Sequence, residues 1–165
     1  QNAVPSAANI KQKGVLQVSV VLIALAALAV DLYTKALAVS RLAGNSFPVI
    51  DNILNFTYVE NTGAAFGMLK NGNVFLIIST VIILAAVIAY LTIKKPKAKA
   101  VKIASALIIG GALGNLYDRI FRGFVVDFID IRFINYPVFN IADCCVVCGA
   151  IIFAVWVIFF DKNAG

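Results

Sequence analysis

Hydrophobic and polar positions divide the chain into four long apolar runs separated by shorter mixed stretches. A hydrocarbon core about 30 Å thick needs roughly 20 helical residues to cross it. Four segments reach that length, at about 15–39, 74–93, 103–121 and 143–160. Between the first two the period changes. LNFTYV (54–59) sets Leu54, Phe56 and Tyr58 against Asn55, Thr57 and Val59, the two-residue alternation of a strand with one apolar face. With FPVI before it and NTGAAFG after it, the segment at about 41–71 is expected to form a small sheet on the membrane surface, able to rest on lipid or grip an extended peptide. The expected fold is thus an α-helical integral membrane protein: four transmembrane helices and a small extracytoplasmic β-sheet, as a single membrane domain over 1–165. Residues 1–14, which begin without Met, are set aside as a tail, and the run at 15–30 is read as a retained span rather than a signal peptide.

Composition agrees with the pattern. The chain is 62% hydrophobic and 13% charged, against about 25% charged in ordinary soluble domains. The basic balance acquires meaning once the charges are sided. KKPKAKAVK (94–102) puts five lysines in the loop between the second and third spans, and a short Lys-rich loop marks the cytoplasmic side. Both termini then face the cytoplasm. That side carries eight lysines and Asp161, a net of +7, while the other carries seven acids and six bases, a net of −1. The excess positive charge is a topology signal, and nucleic-acid binding drops out. Histidine is absent, which removes Ser-His-Asp and Cys-His nucleophiles and His-ligated zinc. What remains for hydrolysis is carboxylate chemistry or a Ser/Lys pair.

Ionisable residues at membrane depth are costly and are functional candidates by default. Asp31 and Lys35, four apart near the outer end of span one, share a helix face and can pair, either to anchor the helix or to position a substrate. In span three, Gly110 and Gly114 form a GxxxG that permits close helix packing, which needs no dimer to explain it. Asn115, Asp118 and Arg119 follow toward the outer end as the makings of a hydrogen-bonded network. In FVVDFIDI, Asp127 lies among Val125, Val126, Phe128 and Ile129, and such company disfavours its charged form. In FNIADCC, Asn140 is a candidate N-cap and the helix start favours an anionic Asp143. Two carboxyls pushed apart in this way suit acid and base work on a water molecule, with no metal or covalent intermediate. Sixteen residues separate them, so the pairing stays open at this point, with ion-paired interface aspartates as the rival and Asp118 and Asp130 as alternative members. Cys144, Cys145 and Cys148 contain a CxxC, but with only Asp143 nearby they read as small apolar filler. A transporter would spread its acids through the bilayer and favour repeated halves, whereas span two has no charge. Ser/Lys pairs (Ser40 with Lys35, Ser105 with Lys102) have no supporting motif.

Five blocks in order, DLYTK (31–35), VENTGAAFG (59–67), GGALGNLYDR (110–119), VVDFID (125–130) and FNIAD (139–143), resemble the lipoprotein signal peptidases, also called signal peptidase II. The resemblance implies an aspartyl endopeptidase of the bacterial cytoplasmic (inner) membrane. Its substrate would be a diacylglyceryl-modified prolipoprotein, whose signal peptide it removes by cutting before the lipidated cysteine. It implies Asp127 and Asp143 as the catalytic pair, with support from Asn61, Gly111, Asn115, Asp118, Arg119, Asn140 and Ala142, and with Asp31 and Lys35 as structural or substrate-proximal positions. It further implies a short outer helix between spans three and four, inhibition by globomycin-type cyclic peptides, and contact with membrane lipid; a monomer is expected. Tyr117 stands where the family often has tryptophan, and Cys144 and Cys145 replace small or apolar residues, departures that bear on packing.

Overall fold

Within a bilayer no water satisfies backbone N–H and C=O groups, so apolar segments close their hydrogen bonds internally as helices. The computed structural model, which describes residues 7–42, 45–63, 72–134 and 136–160, follows this rule. Helix α1 (Ala7–Leu42) leads to strands β1 (Ser46–Ile50) and β2 (Leu54–Asn61), then to helices α2 (Asn73–Lys94) and α3 (Lys99–Phe121). Strand β3 (Val125–Ile131), a short 3-10 helix (Arg132–Ile134) and helix α4 (Ile141–Phe160) complete the chain. Each of the four helices holds a stretch long and apolar enough to span a bilayer, that of α1 being Val18–Leu42. The tail before residue 7, the side chains of Lys11 and Lys13, the stretch 64–71 at the end of the expected sheet region, and Asp161 and Lys162 lie outside the described residues.

The bundle is built around α3. Over half of its apolar window (56%) is buried, against 6–17% for the other three, which therefore face outward along most of their length. Small residues make this possible: a Cβ on Gly110 would meet the carbonyl of Ala24 at 2.6 Å. On α1 the usual polarity is reversed. Val18, Val21, Leu22 and Leu25 are exposed, as suits a lipid-facing surface, while the buried face carries Ala24, Asp31, Lys35 and Ala38.

The three strands form an antiparallel sheet in the order β1-β2-β3. The hairpin turns at Asn52, whose φ of 59° is a left-handed conformation that asparagine tolerates. The sheet packs on the C-terminal end of α1 through Ala38, Val126 and Phe128, with Phe56 and Tyr58 against them. Pairing of β2 with β3 sets Phe56 opposite Ile129 and Val59 opposite Asp127, so Thr57 and Tyr58 together face Phe128. This bulge breaks the alternation of LNFTYV. Beyond it Val59 and Asn61 take the face of β3 that carries Asp127, where unbroken alternation would have put Tyr58 and Glu60. Phe139 closes the other edge of β3: it accepts from the N–H groups of Phe128 (3.0 Å) and Ile129 (2.8 Å) and donates to the Ile129 carbonyl at 3.1 Å. That contact draws the start of α4 alongside the strand.

Candidate active site

Two carboxyls converge where β3 meets the first turn of α4. Asp127 is 1% exposed. Its two oxygens accept from side-chain amides, Oδ2 from Asn61 Nδ2 at 2.8 Å and Oδ1 from Asn140 Nδ2 at 2.6 Å. Burial, reinforced by the charge of Asp143, pushes the Asp127 carboxyl up to about 7, although both amides favour its charged form. Asp143 sits at the third helical position of α4. Its Oδ1 accepts from Asn115 Nδ2 at 2.7 Å and its Oδ2 from the Asn140 backbone N–H at 3.2 Å. In return Asn140 Oδ1 accepts the backbone N–H of Asp143 at 2.9 Å. This reciprocal arrangement is a capping box in which asparagine and aspartate take the usual Ser/Thr and Glu positions. Asn140, fully buried, therefore caps α4 and touches both carboxyls at once.

Behind the pair lies a buried ionic cluster. The three protons of the Lys35 ammonium meet three acceptors: Asp31 Oδ2 at 2.8 Å, Asp118 Oδ2 at 3.1 Å and Asn115 Oδ1 at 2.8 Å. With its oxygen held by Lys35, Asn115 turns its NH2 to Asp143. Each of the two buried carboxylates also grips a backbone N–H one residue ahead of a member of the pair. Asp31 Oδ1 accepts from Ala142 at 2.8 Å, and Asp118 Oδ2 accepts from Val126 at 3.1 Å. Lys35 thus ties together the supports on which Asp127 and Asp143 stand. Gly114 is pressed against the Asp31 carboxylate and Gly111 against the Ala142 carbonyl, so a methyl group at either would collide with this scaffold.

The eleven residues that the family resemblance implies lie in or against this cluster. Arg119, half-buried at the end of α3, has no carboxylate within 4.0 Å among the described residues, and it feels chiefly the charges of Asp143, Asp127 and Asp118. Its backbone carbonyl is held by Asn73 Nδ2 from α2 at 3.1 Å. Asp130 is apart from the pair, bound by Arg132 Nε at 2.7 Å and Thr57 Oγ1 at 3.1 Å. Of the Ser/Lys pairings, Ser40 Oγ donates to the Leu37 carbonyl and Lys35 is fully engaged with its three acceptors. Cys144, Cys145 and Cys148 are free thiols. Sequence reasoning overlooked Arg122, whose Nε meets Asp118 Oδ1 at 3.0 Å and balances the cluster's second acid. The i,i+4 spacing that singled out Asp31 and Lys35 was equally present at 118 and 122.

Comparison with known proteins identifies the family and the fold. A family model described as signal peptidase (SPase) II matches residues 23–159. A lipoprotein signal peptidase of Clostridium acetobutylicum is 40% identical over 147 residues, covering 87% of this chain and 96% of that protein. One of Caldanaerobacter subterraneus subsp. tengcongensis is 48% identical over 131 residues, covering 78% and 88%. A bacterial membrane enzyme solved by the in meso method at 2.3 Å superposes with a TM-score of 0.81 at 34% identity, covering 89% of this chain and 92% of that one.

Proposed function

The chain belongs to the signal peptidase II family, and from that premise we propose that it is an aspartyl endopeptidase acting on diacylglyceryl-modified prolipoproteins, with Asp127 and Asp143 as its catalytic pair. The observation that carries the reading is the convergence of the two carboxyls on one residue, Asn140, despite their separation in sequence. The chain is a multi-pass bacterial membrane protein and a protease by family; the aspartyl mechanism is the inference.

In this mechanism Asp127, its carboxyl pushed up to about 7, still carries a proton near neutral pH. It donates that proton to the oxygen of the scissile carbonyl. Asp143 takes a proton from the attacking water, whose oxygen bonds to the carbonyl carbon before cysteine. Collapse of the tetrahedral intermediate breaks the C–N bond, and a proton from the pair goes to the leaving amine of the lipidated cysteine. The positive charge of Arg119, near both acids, offsets negative charge as the intermediate forms.

Substrate depth fits this site. Acyl chains hold a lipid-modified peptide at the membrane surface, and the pair lies on β3 and the first turn of α4, at the end of the bundle that carries the sheet. Phe47 and Ile50 on β1 and Phe133, Ile134 and Tyr136 after β3 expose apolar surface on the sheet and the segment that follows it, which suits contact with lipid and with the substrate. By the lysine distribution, both termini are cytoplasmic and the pair is at the outer face of the inner membrane. A globomycin-type peptide would compete at the same carboxyls, and one chain supplies every residue of the site, so a monomer suffices.

Turnover of one precursor in lipidated and unmodified forms, by the purified chain in bilayers, tests the substrate class. Cleavage of the lipidated form alone is expected; equal turnover of both would mean a general interface protease.

A further inference from the structure

At the end of the bundle opposite the catalytic pair, the start of α3 and the last turns of α4 enclose an apolar groove of about 210 Å³. Ala100 forms one wall, and Ile151, Ile152, Val155, Trp156 and Phe160 form the other. From Ile151 to Phe160 the helix rises about 13 Å at 1.5 Å per residue, close to the roughly 15 Å of hydrocarbon in one leaflet. The groove therefore has the depth of a single acyl chain. Among the described residues, the charges beside its mouth are all positive. Ala100 lies between Lys99 and Lys102, and Lys94, Lys95 and Lys97 precede it. None of these five has a carboxylate within 4.0 Å among the described residues. The first turn of α3 adds no acidic side chain and no side-chain cap. Trp156, half-buried in the groove, has no hydrogen-bond partner for its indole N–H among the described residues.

We infer that this groove is a binding site for an anionic phospholipid, with one acyl chain along Ile152, Val155 and Trp156 and the phosphate among Lys97, Lys99 and Lys102. Topology alone asks for lysines in this loop but not for a groove beside them. Basic pockets between helix ends are where anionic headgroups are held. A neutral lipid would fill the groove and leave the lysines unpaired, and charge complementarity therefore selects the anion.

Trp156 is the one tryptophan of the chain, so its emission reports on the groove alone. The test reconstitutes the full chain in phosphatidylcholine bilayers and titrates in phosphatidylglycerol or phosphatidylcholine brominated on the acyl chains. Brominated phosphatidylglycerol is expected to quench Trp156 at a lower mole fraction, by about fivefold if one lysine is engaged and up to about 100-fold if all three are, a preference that weakens as salt is raised. Lys99→Gln with Lys102→Gln should remove most of that preference. Ala100→Phe, which fills the groove and leaves every lysine in place, should remove it as well. General attraction of anionic lipid to a basic loop would survive Ala100→Phe, and that result overturns the site. Equal quenching by both lipids in the unaltered chain overturns it too, as does quenching by neither, which would mean that protein covers the groove. The unaltered chain decides the matter even if a variant fails to insert.

Discussion

Asn140 donates its side-chain amide to Asp127 Oδ1 at 2.6 Å while its backbone N–H donates to Asp143. One residue thereby performs two separable tasks, capping α4 and holding the two carboxyls in register. Asn140→Ser keeps a capping oxygen and removes the donor to Asp127. Thermal stability should change little, while cleavage should fall about 10-fold, the value of one hydrogen bond that holds the Asp127 carboxyl in register with Asp143. Loss of stability in step with activity would reduce Asn140 to a cap.

Asn61 reaches Asp127 because the bulge at Thr57 and Tyr58 shifts the face of β2. Its amide favours the charged carboxylate, so removing it raises the pKa of Asp127 further. Activity in this mechanism needs Asp127 protonated and falls as pH rises through about 7. Asn61→Ala should therefore move the alkaline limb of the rate profile upward by about one pH unit. A downward shift would mean that Asp127 must be ionised to act.

The Lys35 ammonium stands between two buried carboxylates. Lys35→Met leaves both without their common cation, a loss of about 3–5 kcal/mol for a broken buried pair. Adding Asp31→Asn removes one of the uncompensated charges, and the double variant should be less destabilised than the two single effects combined. Thermal unfolding of the three variants measures this, and simple additivity would show that Lys35 and Asp31 are not coupled.

Hydropathy made the four spans legible, and i,i+4 spacing made Asp31 and Lys35 a pair. Strand β3 was not, because VVDFIDI is apolar nearly throughout, with no period to separate a buried strand from the end of a helix. The alternating pattern therefore points to a sheet within 41–71 alone, whereas its third strand comes from 125–131. The role of Asn61 was equally hidden: its face depends on a bulge that the alternating pattern of LNFTYV does not reveal. The grips of Asp31 on Ala142 and of Asp118 on Val126 join distant backbone, and no local signal encodes them. Family resemblance pointed to these residues, and only the packing of α3 against α1 and α4 gives the physical reason.

Cleavage of a lipid-modified precursor by Asp127→Asn, Asp143→Asn and Asp130→Asn, with insertion of each verified, tests the central claim most directly. The first two should lose about 10²- to 10⁴-fold in rate. Asp130→Asn, whose side chain is held by Arg132 and Thr57 away from the pair, should stay within about twofold. Full turnover by either of the first two variants would contradict the assignment of Asp127 and Asp143 as the catalytic pair.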